Sequence, residues 1–530
     1  MNASARHLLF ACSLVAACHH SEPYTQTPPL TLPANVTRVQ VIHFSDYHAH
    51  AAPYFSEHEA GVAGVARALA YVKQVKAADP NLLVLNGGDM FNSGTPAWSD
   101  KYGKECADWK WWNGIVTAMA FGNHDVDYGW DSFVGCQKQA QYPVLSGNLV
   151  DAADNRIFSV EDMPYLIKKV GEVKIGMFAL AGPDFTNLVK PANLPPGAKF
   201  SDPLAAARRI VKTLREQEKV DAVIFFGHQD RDSDFAMAKQ VPGIDLILGT
   251  HSHYKGDFQT IPGTETRFIS PFQYLNYLSH VELIFTDGTL HHISGRLVRM
   301  APGLPEDSGV NSEVAQMQRA LESDPLYAPR FQVIGQAAVE LDLTNIDRGE
   351  SVLGNFVMDT VRTATPANLA FSTASSFRAS IPPGSIRLED YLTAVPYKNS
   401  IYSLSMTGAQ VQELLDFAVS KLGSDNFAVA SGVRYNIVSG KAQDVAIAKD
   451  PASRTSDYEP LRSDGTYTVM ATDFLANNAT SGYKTILDKA SSKKDTGLIV
   501  NDVVIGFIKA NSPVSAKIEG RITPTGTGGN

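Results

Sequence analysis

Arg38-Val39-Gln40-Val41-Ile42-His43-Phe44 runs straight into Ser45-Asp46-Tyr47-His48. Polar and apolar residues alternate along the first part, the period of a half-buried strand. The strand ends on a carboxylate and an imidazole two positions apart. The same pattern recurs downstream. Asn81 to Asn86 is a short apolar run ending in Gly87-Gly88-Asp89, Asp221 to Phe226 ends in Gly227-His228, and Ile244 to Leu248 leads into Thr250-His251-Ser252-His253. A further polar cluster is Gly122-Asn123-His124-Asp125. Between the strands, Gly61 to Ala78 spaces Val62, Val65, Leu69, Val72 and Val75 as on a helix, and Leu204 to Gln217 does the same. Alternating strands and helices predict an α/β sheet, where ligands sit beyond the carboxyl ends of strands. Side chains far apart in the chain therefore converge on one rim.

That rim carries the chemistry. Asp46, Asp89, Asn123, His228, His251 and His253 offer oxygen and imidazole donors, with His48 beside them. This is a donor set for two divalent cations side by side, and it suits zinc, manganese or iron without choosing among them. One carboxylate can bridge cations about 3.5–4 Å apart, the spacing of two-metal hydrolases, so the first reading is a phosphoester hydrolase. The two glycines before Asp89 let backbone approach closely.

The chain has 530 residues, too many for one core, so two domains are expected. Hydrophobic residues at 44% and charged residues at 19% mark a soluble globular protein. A formal net charge of -9, with no basic stripe, argues against a nucleic-acid polymer as main partner. At the N-terminus, Arg6 and His7 precede apolar Leu8 to Ala17, and small residues stand directly before Cys18. The pattern resembles a bacterial lipoprotein signal, too short to span a membrane. It implies a chain anchored through lipid on Cys18 and facing the cell envelope, periplasm or cell surface. Cys106 and Cys136 then remain as a plausible disulfide in an oxidising compartment. Trp109, Trp111 and Trp112 read as core aromatics.

The boundaries follow: residues 1–17 as signal, 18–37 as tether, 38–305 as catalytic domain, 306–332 as connector helix, 333–522 as second domain and 523–530 as frayed tail. His280 to Phe285, Asp287-Gly288 and Leu290 to Val298 predict a hairpin. Thr407 to Gln410 predicts a capping box.

The series D-x-H, GGD, GNHD, GH and THSH resembles the calcineurin-like metallophosphoesterases, and with its large C-terminal half the chain is similar to the bacterial 5′-nucleotidase family. The resemblance implies an α/β fold: an N-terminal metallophosphoesterase β-sandwich flanked by helices (αββα), then a C-terminal α/β substrate-binding domain facing it across a cleft. It implies one cation on Asp46, His48, Asp89 and His253, and the other on Asp89, Asn123, His228 and His251. It makes His124 the catalytic histidine and Asp127 the carboxylate that orients it, although Gly-Asn-His-Asp-Val-Asp stands where the family usually has GNHEFD. In the second half it makes Arg378, Asn399, Phe427 and Tyr483 substrate contacts, the two aromatics as a base clamp. Two departures bear on that clamp. Ala374-Ser375-Ser376-Phe377 replaces a glycine-rich segment, and the loop before Tyr483 lacks the usual acidic residue.

The resulting expectation is a hydrolase of nucleoside 5′-monophosphates working by attack of metal-bound hydroxide. The alternatives are a 2′,3′-cyclic nucleotide phosphodiesterase, a UDP-sugar hydrolase, a sulfur-ester hydrolase on the same frame, or a non-catalytic nucleotide-binding lipoprotein.

Overall fold

The structure is a computed structural model that describes residues 33, 35–92, 97–158, 160, 163–454, 456–479 and 481–524. The signal and most of the tether read from the sequence lie outside the described residues.

The first half is built on two six-stranded sheets. In one, Val36–Phe44, Leu83–Asn86, Ala118–Ala120 and Val144–Leu145 run parallel, and the hairpin Tyr277–Thr286 and Thr289–Arg299 adds an antiparallel edge. In the other, Val173–Phe178, Ala222–Phe225, Leu246–Leu248 and Arg267–Pro271 run parallel, flanked by antiparallel Leu166–Val170 and Lys255–Thr260. Val39, Val41, Leu83 and Leu85 of one sheet meet Ile175, Met177, Ile224 and Leu246 of the other in a dry seam. Strands buried on both faces read as near-continuous apolar runs, which is why these segments are so apolar in sequence. Helix Val65–Ala78 covers the outer face of the first sheet, and Pro203–Lys212 and Arg231–Gln240 that of the second. The result is the helix, sheet, sheet, helix layering expected.

The helix expected from Gly61 begins later, at Val65, because Glu59–Val62 forms a short strand paired with Tyr54–Ser56 and Gly64 turns the chain at φ 94°. The hairpin turn is as expected: Asp287 and Gly288 both take positive φ, 50° and 77°, the conformation a tight two-residue turn requires. Cys106 and Cys136 are disulfide-bonded, with Cα atoms 5.0 Å apart. Trp109, Trp111 and Trp112 are buried in the same cluster, and Trp112 stacks on Phe44. Helix Ser308–Ser323, capped by Asp307, joins this outer layer, where Glu313 accepts the Trp111 indole N–H at 2.8 Å.

The second half centres on a five-stranded sheet of Ala428–Ser431, Leu369–Thr373, Thr466–Thr472, Ser400–Thr407 and Ser492–Ile499. Val352–Ala364 and Gly408–Val419 are among its helices, the latter opening on the Thr407/Gln410 capping box. The tail expected to fray from Thr523 is partly a strand, since Ile522–Pro524 pairs with Val433–Val438.

Candidate metal centre

Every donor named from the sequence in the first half lies just past the end of a parallel strand. Asp46 and His48 follow Val36–Phe44, Asp89 follows Leu83–Asn86, Asn123 and His124 follow Ala118–Ala120, His228 follows Ala222–Phe225, and His251 and His253 follow Leu246–Leu248. The seam between the sheets brings these ends together. Asp46, His48 and His253 present ligand atoms within 4.8 Å of one another, and so do Asp89, His228 and His251.

Local hydrogen bonds aim each group. The His48 ring nitrogen Nδ1 lies 2.7 Å from the Phe91 carbonyl oxygen, and His228 Nδ1 lies 2.7 Å from that of Gly87. A carbonyl only accepts, so both Nδ1 atoms carry the proton and both Nε2 atoms present lone pairs. His253 Nδ1 faces Gln273 Oε1 in the same way, and His251 Nε2 faces Asp184 Oδ2 at 3.1 Å. Four lone pairs therefore point inward. His48 Nε2 and His253 Nε2 are 3.1 Å apart, and His251 Nδ1 and His228 Nε2 are 3.2 Å apart.

The carboxylates are divided likewise. Asp89 Oδ1 accepts the His124 backbone N–H at 2.8 Å, leaving Oδ2 between His228 Nε2 at 3.2 Å and His48 Nε2 at 3.6 Å. Asp46 Oδ2 accepts the His251 N–H at 3.0 Å, while Oδ1, 3.4 Å from His253 Nε2, is buried without a hydrogen-bond partner among the described residues. Asn123 Oδ1 is a second buried oxygen without one. Buried polar atoms are seldom left so. Converging imidazole nitrogens and carboxylate oxygens fit a pair of divalent cations, which Asp46, His48, Asp89, Asn123, His228, His251 and His253 would hold.

Asp125 holds this geometry. Its two oxygens accept the N–H groups of Met90, Asp89 and Gly122 at 2.7, 3.2 and 2.8 Å, tying two strand ends together. Gly122 permits the approach, because a Cβ there would lie 2.2 Å from Asp89 Oδ1. His124 Nδ1 sits 2.8 Å from Asp127 Oδ2. Burial opposes charge on His124, but Asp127 and Asp89 outweigh it and push the imidazole up to about 10.

From the second half Arg378 reaches the cluster. Its Nη1 lies 3.0 Å from His253 Nδ1, and Nη2 donates to the Tyr397 hydroxyl at 2.7 Å. A cleft of about 850 Å³ opens beside His253, lined by Arg378, Phe377, Asp425 and Asn426 from one half and Ser252 and Tyr254 from the other. The aromatic clamp expected of Phe427 and Tyr483 is not formed. Both rings are 0% exposed, in the core of the second half. Tyr483 packs on Phe371 and Phe417 and donates its hydroxyl to the Asn426 carbonyl at 3.0 Å, so neither ring offers a face to a ligand. Asn399 does not line the cleft, and its carbonyl oxygen takes the Val500 N–H.

Asp184 and Gln273 were not picked out in the sequence, and Asp125, quoted there within its cluster, was given no role. The first two also lie just past strand ends, after Val173–Phe178 and Arg267–Pro271. That phase was the available signal.

Residues 39–255 match the calcineurin-like phosphoesterase family, and residues 333–488 match the 5′-nucleotidase C-terminal domain. The chain is a metal-dependent phosphoesterase of the 5′-nucleotidase family. Among its relatives in this family, it is 25% identical to the 5′-nucleotidase of Vibrio cholerae, over 92% of this chain and 93% of the other. It is also 25% identical to the apyrase of Tabanus yao, over 91% and 93%. A crystal structure of a 5′-nucleotidase precursor from Thermus thermophilus superposes with a TM-score of 0.74 at 26% identity, covering 92% of this chain and 99% of that one.

Proposed function

We propose that this phosphoesterase removes phosphate from nucleoside 5′-monophosphates at the junction of the two halves. The observation that carries the reading is the convergence of six strand-end donors in two triads, with Arg378 of the second half against His253. Asp46, His48, Asp89 and His253 would hold one cation, and Asp89, Asn123, His228 and His251 the other, as zinc, manganese or iron. Such a pair, when bound, supplies Lewis-acid charge and a water of lowered pKa.

The protein's own groups do the rest. Asp127 fixes the His124 proton on Nδ1 and leaves Nε2 to donate to the leaving oxygen. Asp127 and Asp89 favour the charged imidazolium, so His124 also offsets negative charge gathering on the phosphoryl oxygens. Arg378 brings a permanent cation against His253, and a planar guanidinium suits phosphate oxygens. Sequestration follows from the cleft, whose walls come from both halves.

The burial of Phe427 and Tyr483 favours one second reading, a small phosphoester whose leaving group needs no stacking. Metal-loaded protein assayed on AMP, a 2′,3′-cyclic nucleotide, a UDP-sugar and an aryl phosphate separates the two. The proposal expects AMP to give the highest kcat/KM. An AMP rate no better than that of the aryl phosphate supports the second reading instead. The lipid anchor and envelope location belong to the same proposal, tested by labelling with a fatty-acid analogue, which should require Cys18.

A further inference from the structure

Four imidazoles converge on the cation pair, and three are steadied from behind by neutral oxygens: the carbonyls of Phe91 and Gly87, and the amide oxygen of Gln273. His251 differs. Its rear partner is a carboxylate, Asp184, with Oδ2 3.1 Å from Nε2. His251 also differs in facing the cluster through Nδ1 rather than Nε2. The Asp184 segment is firmly seated. Gly182 donates its N–H to the His228 carbonyl at 2.9 Å, His228 donates to the Leu180 carbonyl at 2.9 Å, and Phe185 walls the His228 and His251 rings. Gly182 is needed for this, since a Cβ would lie 2.9 Å from both Asp184 Oδ1 and Gln229 Cβ. The second oxygen, Asp184 Oδ1, is buried with no hydrogen-bond partner among the described residues, so the charge is not spent on another donor.

We propose that Asp184 is a positioning residue for one half of the centre: its carboxylate holds His251 in the Nε2–H tautomer, enriches Nδ1, and selectively tightens the cation held by Asp89, His228 and His251. A carboxylate behind an imidazole ligand raises that ligand's basicity, and loss of such a partner weakens metal affinity by about 10–100-fold. The cation beside Asp46, His48 and His253 has no carboxylate behind its imidazoles among the described residues, their rear neighbours being neutral oxygens and, at His253, the Arg378 guanidinium, and it should not sense the change. The inference rests on the cation-pair reading given above, and its test does not use turnover.

The full-length protein, stripped of metal, is titrated with Co²⁺ against a competing chelator, and both binding events are followed by d–d absorbance. For Asp184→Ala, one event should weaken about 10–100-fold and the other stay within about threefold. Asp184→Asn, whose amide oxygen still accepts the N–H but carries no charge, should fall between Ala and wild type. The melting temperature of the metal-free variants should match that of wild type. Unchanged affinities in Asp184→Ala, equal weakening of both events, or an Asp184→Asn indistinguishable from wild type would each overturn the proposal. Failure of the wild-type protein to take two ions would instead remove the cation-pair reading on which it stands.

Discussion

At Asp46, His48, Asp89, His251 and His253 the backbone takes the left-handed conformation, with φ of 52°, 47°, 58°, 56° and 49°. None is glycine, so each costs on the order of 1–3 kcal/mol, and the folded strands around them must supply it. This clustering is what a site held in a fixed shape for cations requires, and nothing in the residue types announces it. The identities of the donors were legible because carboxylate, amide and imidazole are written directly in the sequence. Their tautomers were not, because these depend on Phe91, Gly87, Gln273 and Asp184, which meet the rings only in three dimensions. The His124 ring packs edge-on against His48, but its Nδ1 pairs with Asp127 rather than with a donor of the cluster. His124→Ala should therefore lower kcat by about 10²–10⁴ while metal content stays at the wild-type level, checked by steady-state kinetics beside elemental analysis.

Among the elements, the strands and their polar ends were legible in sequence, while the burial of two aromatic positions was not. Phe427 and Tyr483 carry the residue types of a base clamp, yet burial is decided by neighbours remote in sequence, here Phe371 and Phe417 around Tyr483. Phe427→Ala should cost about 3–5 kcal/mol in denaturant unfolding, as removal of a core aromatic does, and leave KM for the phosphoester unchanged if the protein is folded. Helix Ala97–Tyr102 rests on a similar hidden term. Trp98 donates its indole N–H to Asp108 at 2.9 Å, and burial, only partly countered by that bond, pushes the Asp108 carboxyl up to about 6. The folded state thus holds this proton more tightly than the unfolded chain. Its contribution to stability is fully present below about pH 4 and is lost as pH rises through about 6, a change of about 3 kcal/mol. Asp108→Asn should gain stability relative to wild type over that window, read as a difference in unfolding midpoint between pH 4 and pH 7.

Across the whole molecule the two halves meet at several points besides Arg378 and His253. Glu389 accepts the Ala97 N–H at 2.6 Å, His58 Nδ1 lies 3.0 Å from Glu340, and Gln273 donates to the Arg378 carbonyl at 3.0 Å. Gln273 thereby links the imidazole of His253 to the second half. The cleft beside Gln273 and Arg378 was expected from the resemblance, but its lining was not, because loops from both halves compose it. The central claim is that strand ends of two facing sheets assemble one centre for two cations, with Asp89 shared between them. Elemental analysis of the purified chain after manganese or zinc loading tests it most directly, with Asp89→Asn alongside. The account predicts two ions per wild-type chain and loss of affinity for both in the variant. Wild-type protein that retains no ion, or an Asp89→Asn variant that still binds two as tightly, would contradict it.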